Sequence, residues 1–365
     1  MTYISTKKKT GEKKRLLAND QMEELRKIQV TGGSTYIISL PKSWVDQMGL
    51  KRGSVVSMSQ RDDRSLTIQP KGLTSPERVK KVLITINQGD KPESVVRRLV
   101  SSYLMGYNII QIRSTEKRID LETRFEIKDF VRKKLVGTEI LSDLPNELTL
   151  QILLSYAELS VKDALRRMSI IAASMHRDAV QTLSTDNPRI AKEVVNMDDE
   201  VDRFSFYVIR LLNVAIMDAH VLKESGISTP RQCLSYRLIT KSVERMADHA
   251  TNIAENRLAL HLVPINEEIL DELNRISQSA LKVFEASMEA LFDEEYSEAD
   301  AVMEAAEETR GMEAEVIHKI VKLAPVEDVP QLRLIVESIL RTSEYGADIA
   351  ETVLNMAVSD AVTEA

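Results

Sequence analysis

Three kinds of hydrophobic pattern follow one another along the chain. At the front, LRKIQV (residues 25–30) and STYIISL (34–40) are short β-prone runs separated by Thr31-Gly32-Gly33, a hairpin signal. Pro41 then opens a short helix, Lys42 to Met48, which Gly49 ends as a left-handed cap. Lys51-Arg52-Gly53 turns into a strand at 54–59, and Arg61-Asp62-Asp63-Arg64 turns into another at 65–69. Four short strands around one turn of helix make too small a core to stand alone, so this segment is expected to dimerise.

The second pattern is mixed. Residues 79–86 (VKKVLITI) and 108–112 (NIIQI) read as strands, 91–105 and 120–134 as helices, and 138–154 as one or two more strands. Strand and helix alternate here, which predicts a compact α/β module. It has no glycine-rich phosphate loop, metal-ligand spacing or nucleophile motif, so effector binding and a spacer role both stay open.

From Tyr156 onward the period is helical. Breaks near Asp186-Asn187-Pro188, Gly226 to Pro230, Pro264, Ser297 and Pro325 to Pro330 outline six helices, at about 156–184, 188–223, 229–261, 265–294, 298–323 and 330–358. That is three helices twice. SVERMADHATNIAENRLAL (242–260) aligns with TSEYGADIAETVLNMAV (342–358) at an offset of 100, matching Glu244 with Glu344 and Asp248 with Asp348. FYVIRL (206–211) aligns with AEVIHK (314–319), which leaves the first copy about eight extra residues in its second connection.

Within ERMADHATNIAE (244–255), Glu244, Asp248, Asn252 and Glu255 fall within about 80° of helical arc, opposite Met246, Ala247, Ala250, Ile253 and Ala254. Acids on an outer helix face are usually a solvated surface. Asp and Asn are mediocre helix formers, however, and the Glu-x-x-x-Asp pair recurs in the second copy. Asp198 and Asp202 supply a further pair on the neighbouring helix, so oxygen ligation of a hard or borderline cation is the chemistry this pattern suits. Aligned through Val316-Ile317, Asp198 meets Ala306 and Asp202 meets Arg310, so one of the two clusters is expected to be incomplete or absent. His249 reads as an interhelical hydrogen bond, the other histidines lack zinc spacing, and the fourteen methionines read as core filler.

Composition narrows the classes. The single cysteine, Cys233, rules out a disulfide framework and a cysteine metal site. The basic N-terminus lacks an apolar stretch behind it, and FYVIRLLNVAIMDAHVL is interrupted by Arg210 and Asp218, so a soluble, cytoplasmic protein is expected. Net charge is −7, divided as +10 over residues 1–150 and −17 over 151–365. Such a split predicts an anionic partner for the front and cations or a basic surface for the back.

Two resemblances join these readings. RKIQVTGGSTYIISLPKSWVDQMGLKRGSVVSMSQRDDRSLTIQP is similar to an AbrB/SpoVT swapped-hairpin domain, through Leu40-Pro41, the helix closing on Met48-Gly49-Leu50, and the Lys51-Arg52-Gly53 turn. That implies an interleaved homodimer and DNA contact from basic side chains: Arg26, Lys27, Lys42, Lys51 and Arg52, with the tail Lys7-Lys8-Lys9 and Lys13-Lys14-Arg15. The short helix departs from the family by offering only Lys42 among its bases, which puts readout by that helix in question. Residues 150–360 resemble the PhoU family of tandem three-helix bundles, most specifically at ERMADHATNIAE. This implies a metal site at Asp198, Asp202, Glu244, Asp248, Asn252, Glu255, Glu344 and Asp348, holding iron, zinc, manganese, magnesium or nickel.

The expected fold is multidomain and mainly α: a basic tail (1–20), a swapped-hairpin domain (21–72), a small α/β domain (76–154), and PhoU-like repeats at 155–262 and 263–360. A hairpin domain ahead of such a body resembles the archaeal version of the family. The implied function is a dimeric DNA-binding regulator of phosphate uptake and homeostasis, acting with phosphate transporter components. The rival is a non-DNA-binding adaptor in which the hairpin only clasps the dimer. A metallohydrolase is the weakest reading, since no poised base or nucleophile accompanies the acids.

Overall fold

A computed structural model describes residues 24–60, 64–70, 79–156, 158–185, 187–261 and 265–362. The basic tail, most of the Arg61 to Arg64 turn, and Pro264 lie outside the described residues. The chain divides into two compact units, 1–78 and 79–365.

In the first unit, β1 (Gln29–Thr31) pairs antiparallel with β2 (Thr35–Ile37), and β3 (Val56–Gln60) with β4 (Leu66–Pro70), as two separate two-stranded sheets. Between them, α1 (Lys42–Gln47) starts after Pro41. The elements match the hydrophobic pattern, yet no described residue from 24 to 70 is buried. Ile28, Val30, Tyr36, Ile38, Val55 and Met58 are all exposed. A chain of this length cannot enclose them by itself.

The second unit begins with a four-stranded sheet of order β5-β6-β8-β7, built from β5 (Lys81–Ile86), β6 (Ile109–Ser114), β7 (Thr138–Leu144) and β8 (Glu147–Ile152). β5 and β6 are parallel because α2 (Pro92–Leu104) crosses between them; the β7–β8 hairpin is antiparallel, with an irregularity between Ile140 and Ser142. Val95, Leu99 and Tyr103 of α2 form one core with Ile127 and Val131 of α3 (Leu121–Lys134) and with Ile84, Ile110, Ile112, Leu148 and Leu150 of the sheet.

The rest is helical: α4 (Val161–Gln181), α5 (Pro188–Ala215), α6 (Ala219–Glu224), α7 (Gln232–Leu258), α8 (Glu267–Asp293), α9 (Tyr296–Gly311), α10 (Glu313–Leu323), α11 (Val329–Met356) and α12 (Val358–Ala361). Polar caps set the starts: Ser160 accepts from the Asp163 amide, Asn187 from Arg189 with Pro188 behind it, and Asn266 from Glu268. Two expected helices are divided. The helix expected at 188–223 stops at Ala215, and Asp218 caps α6 by accepting from the His220 and Val221 amides, so α6 fills the longer connection of the first copy. The helix expected at 298–323 breaks at Gly311-Met312, where glycine is the poorest interior residue short of proline.

α7 and α11 pack together at the centre, with α4 and α5 against α7 and α8 and α9 against α11. The duplication extends to the first helix of each copy: buried Met168, Ala172, Met175, Ala179 and Val180 of α4 have buried counterparts 108 residues later, Ile276, Ala280, Val283, Ser287 and Met288 of α8. Gly346 of α11 is a close approach, because a Cβ there would lie 3.0 Å from the Phe284 backbone. Among the described residues, no helix is long and apolar enough to cross a membrane.

Candidate functional site

Asp198, Asp199 and Asp202 stand on one stretch of α5, and Glu244 and Asp248 on the packed stretch of α7. The apolar stripe of α7 (Val243, Met246, Ala247, Ala250, Ile253, Ala254) is buried, which turns the acids outward along the seam. Burial, with Asp202, Glu244 and Asp199 nearby, pushes the Asp198 carboxyl up to about 6 against the opposing pull of Lys134. Burial, then Glu244, Asp198 and Asp202, push Asp248 up to about 7. Five carboxylates therefore share one field, and burial with this crowding disfavours the ionised forms of Asp198 and Asp248.

Two lysines stand among them. Lys134, in the last turn of α3, donates to Asp202 Oδ2 at 2.6 Å and pairs with Asp199 Oδ1 at 2.9 Å. Burial alone would lower its pKa, but the hydrogen bonds to Asp202 and Asp199 outweigh it and raise the pKa well above that of an ordinary lysine. Lys241 pairs with Glu244 within α7. Asp198 Oδ1 is fully shielded and has no hydrogen-bond partner.

The donor chemistry fits a hard cation: carboxylate oxygens, an excess of negative charge and one orphaned buried oxygen. The convergence is incomplete. Among the described residues, no three carboxylate, imidazole or thiol groups are gathered closely enough to hold a metal ion. Asp202 is drawn toward α3 and Glu244 toward Lys241, each by an ammonium that a ligating carboxylate would have to leave.

The remaining predicted residues take other places. Asn252 lies one turn beyond Asp248, with its backbone carbonyl accepting from Asn256, and Glu255 is exposed. In the second copy Glu344 pairs with Arg341, and the Asp348 carboxyl is raised by desolvation, Glu351 and Glu344. Ala306, Arg310, Glu313, Ser343 and Glu344 line a small cavity of about 90 Å³ in the place that Asp198, Asp202 and Glu244 occupy in the first copy. Glu344 and Arg310 thus line one cavity in the second copy, and Arg310 aligns with Asp202 of the first.

His249 Nδ1 lies 3.2 Å from Ser338 Oγ, the interhelical hydrogen bond expected of it. His176 is wholly buried between Ser277 Oγ (2.9 Å) and Thr342 Oγ1 (3.1 Å), and burial lowers its pKa to about 4.

Sequence reasoning missed the seam between the α/β module and α5. Arg210 is 0% exposed, donates to the Tyr103 and Tyr107 carbonyls at the C-terminal end of α2, and lies 4.9 Å from the Tyr103 ring centroid. Asn213 donates to the Leu104 carbonyl at 2.9 Å, and Phe130 stacks obliquely on Phe206 at 5.9 Å. Gly106, at φ +82°, lets the turn after α2 approach so closely that a Cβ would lie 2.7 Å from Val214. The available signal was Arg210 itself, a guanidinium inside an otherwise apolar run.

In the first unit, Arg26, Lys27, Lys42, Lys51 and Arg52 are all exposed. Arg26 pairs with Glu24, while the other four have no ion-pair partner among the described residues. These cations stand in a unit whose described apolar side chains are unburied.

Residues 165–256 match the family model of the PhoU domain. The chain carries a PhoU domain. It includes α5 and α7 up to Glu255, and so the whole acid cluster on those helices. Residues 29–74 match the model of the antidote-toxin recognition protein MazE, a bacterial antitoxin, which makes the front unit a MazE/AbrB-like domain. Two curated relatives of the PhoU part are similar. A phosphate-specific transport system accessory protein PhoU homolog 1 of Thermotoga maritima is 26% identical over 136 residues, 37% of this chain and 56% of the relative. A PhoU homolog of Zymomonas mobilis is 35% identical over 89 residues, 24% of this chain and 34% of the relative. The chain thus spans about half or less of the length of these relatives. Among solved structures, the phosphate transport system regulatory protein PhoU from Streptococcus pneumoniae aligns with 56% of this chain and 96% of its own, at 18% identity and a TM-score of 0.48. PhoU from Pseudomonas aeruginosa aligns at 16% identity and 0.45.

Proposed function

We propose that this protein is a cytoplasmic, homodimeric, DNA-binding regulator of phosphate uptake and homeostasis. Its MazE/AbrB-like unit would hold DNA, and its PhoU-domain body would sense a cation or dock on phosphate transporter components. One observation carries the reading: a PhoU-domain body shares its chain with a unit whose described apolar side chains are uncovered and whose Lys27, Lys42, Lys51 and Arg52 are exposed and have no ion-pair partner among the described residues. A second copy interleaved with the first would bury Ile28, Val30, Tyr36 and Met58 at about 1.5–3 kcal/mol each for full burial. It would also double the number of cations facing a phosphate backbone, which supplies salt-dependent affinity.

In the body, Asp198, Asp202, Glu244 and Asp248 would hold a divalent or trivalent cation, with Asn252 and Glu255 further along α7. Glu344 and Asp348 would form a reduced counterpart in the second copy. When bound, the ion supplies fixed positive charge that links α5 to α7. Occupancy can alter DNA binding only to the extent that the two DNA-binding states differ in cation affinity. We assign no catalytic role.

The test is to pass fragmented genomic DNA over the full-length protein at moderate salt and sequence what is retained. Discrete regions beside phosphate-transport genes would establish the regulator. Absence of DNA, or retention of only salt-labile DNA without preference, would replace it with the adaptor, in which the front unit serves as a dimer clasp. The adaptor draws on the exposed face of α1, where Ser43, Asp46 and Gln47 accompany a single Lys42.

A further inference from the structure

We propose that Lys134 sets the cation affinity of the acid cluster: it is a counter-charge delivered by the α/β module, and an incoming divalent ion must displace it from Asp202. This rests on the reading of the cluster as a cation site.

Lys134 does not belong to the helices that carry the acids. It arrives on the last turn of α3, and the seam that brings it is packed: Phe130 lies against Phe206, and Arg210 and Asn213 of α5 cap the end of α2. Its side chain is 21% exposed and that of Asp202 19%, so the pair is shielded more than a surface ion pair would be. The module is thus anchored on α5 independently of Lys134. The ammonium is held over the acids by that anchoring, at 2.6 Å from Asp202 and 2.9 Å from Asp199.

One ammonium cannot satisfy this cluster. It offers three hydrogens and a single charge, and it spends them on Asp202 and Asp199. Asp198 keeps a shielded oxygen without a partner, while the one lysine beside Asp248 on its own helix is engaged by Glu244. A divalent ion takes six or more oxygens and twice the charge, so it would gather the carboxylates that Lys134 leaves. The two occupants exclude each other at Asp202, because an ion ligated by that carboxylate would lie within a few ångströms of the ammonium. Binding therefore frees the last turn of α3 from α5, and holding Lys134 in place weakens binding.

The second copy marks the same position differently. Where Asp202 would stand it has Arg310, a cation built into the helix itself.

The experiment is a titration of the full-length protein with Mn²⁺ alone, free Mn²⁺ being read by electron paramagnetic resonance. The proteins are wild type, Lys134→Met, Lys134→Arg and Lys133→Met. Lys133 is the neighbouring residue, is 53% exposed and pairs with Asp129, and it acts on the cluster only through space, at Asp199, so its removal changes net charge equally without taking a hydrogen bond from the acids. Lys134→Met should bind Mn²⁺ about tenfold more tightly than wild type, a step of one decade in Kd. Lys133→Met and Lys134→Arg should stay near wild type. Amide hydrogen exchange in the last turn of α3 should rise on Mn²⁺ addition to wild type, and in Lys134→Met should be fast already.

Saturable Mn²⁺ binding that is equal in wild type and Lys134→Met would overturn the role of Lys134 and leave the cation site standing. So would Lys134→Arg binding as tightly as Lys134→Met. No saturable binding to any of the proteins would remove the cation site itself, and the inference with it.

Discussion

The two copies of the three-helix unit share their core and differ on their outer face. Buried positions of α4 recur in α8 at an offset of 108, and Glu244 and Asp248 of α7 recur as Glu344 and Asp348 of α11 at an offset of 100. On the helix between them, aligned through Val208 and Val316, identities part: Asp198 becomes Ala306, Asp202 becomes Arg310, Arg210 becomes His318 and Asn213 becomes Val321. In the first copy that face is occupied by the α/β module. In the second, His318 and Val321 are exposed, Val321 at 63%. The duplicated scaffold constrains the residues between helices, while the residues that face outward follow what each copy touches.

The largest effect should come from removing the side chain that distinguishes the docked copy. Arg210→Met deletes a buried guanidinium, strips the Tyr107 carbonyl of its donor and leaves the Tyr103 carbonyl with only the Gly106 amide, a carbonyl left buried and unpaired being worth about 1–3 kcal/mol. We expect about 3 kcal/mol lost in urea unfolding, with α2 losing hydrogen-exchange protection first. His318→Met should change stability by less than about 0.5 kcal/mol, since the site is exposed. Equal losses at the two positions would break the distinction between a covered and an uncovered face.

Next comes the core, where the copies should behave alike but are packed differently. Gly346 occupies the position of Met246, and a Cβ there would lie 3.0 Å from the Phe284 backbone, so its absence lets α11 pack closely on α8. Gly346→Ala should therefore cost about 1–3 kcal/mol, because backbone rather than a movable side chain must yield. Met246→Ala should cost a comparable amount, about 2–4 kcal/mol, for the opposite reason, a cavity. A neutral or stabilising Gly346→Ala would mean the second copy has slack that the first lacks.

Much of this was legible in the sequence. Helix breaks followed from Asn187-Pro188, Gly226 to Pro230 and Pro325 to Pro330, and the duplication from two short alignments, because breakers and buried stripes are local signals. The strands of the α/β module fell where alternation placed them. Asp198, Asp202, Glu244 and Asp248 stand near enough to bear on one another electrostatically, a neighbourhood that helical spacing makes legible along each helix. The seam was not legible: Lys134 meets Asp202 across 68 residues, and Arg210 meets Tyr103 across 107. Such pairs are fixed by how one module docks on another, and no local period encodes that. The front unit gave its hairpins but not a core, and none of its described residues is buried.

The pH dependence sharpens the contrast at smaller magnitude. Folding raises Asp198 to about 6 and Asp248 to about 7, from the ordinary value of 3.8. Between about pH 4 and 7 the folded state then holds more protons than the unfolded chain, so these groups make stability fall as pH rises through that window. Buried His176 acts in the opposite sense: lowered to about 4, it destabilises the fold as pH drops below 6.5. Comparing Asp248→Asn with wild type isolates the acid. After allowance for solvent screening, the variant should gain about 1 kcal/mol relative to wild type between pH 5 and pH 8 in urea unfolding. Asp348→Asn should show a weaker gain, since its carboxyl is raised less.

The smallest effect is the most discriminating. Ala306→Asp with Arg310→Asp gives the second copy the acids of the first on a face that nothing covers. Arg310 is 61% exposed and its pair with Glu307 spans 3.8 Å, so the double variant should alter stability by no more than about 1 kcal/mol. The electrostatics should change visibly. Asp348, already raised by burial, Glu351 and Glu344, should be raised further by the two added carboxylates in an NMR titration of the carboxyl carbons. If Asp348 does not move, the alignment of Asp202 with Arg310 does not describe a shared position in space. A larger rise, approaching that of Asp248, would mean that the field of the first cluster comes from the bundle alone, with the α/β module contributing only the lysine that opposes it.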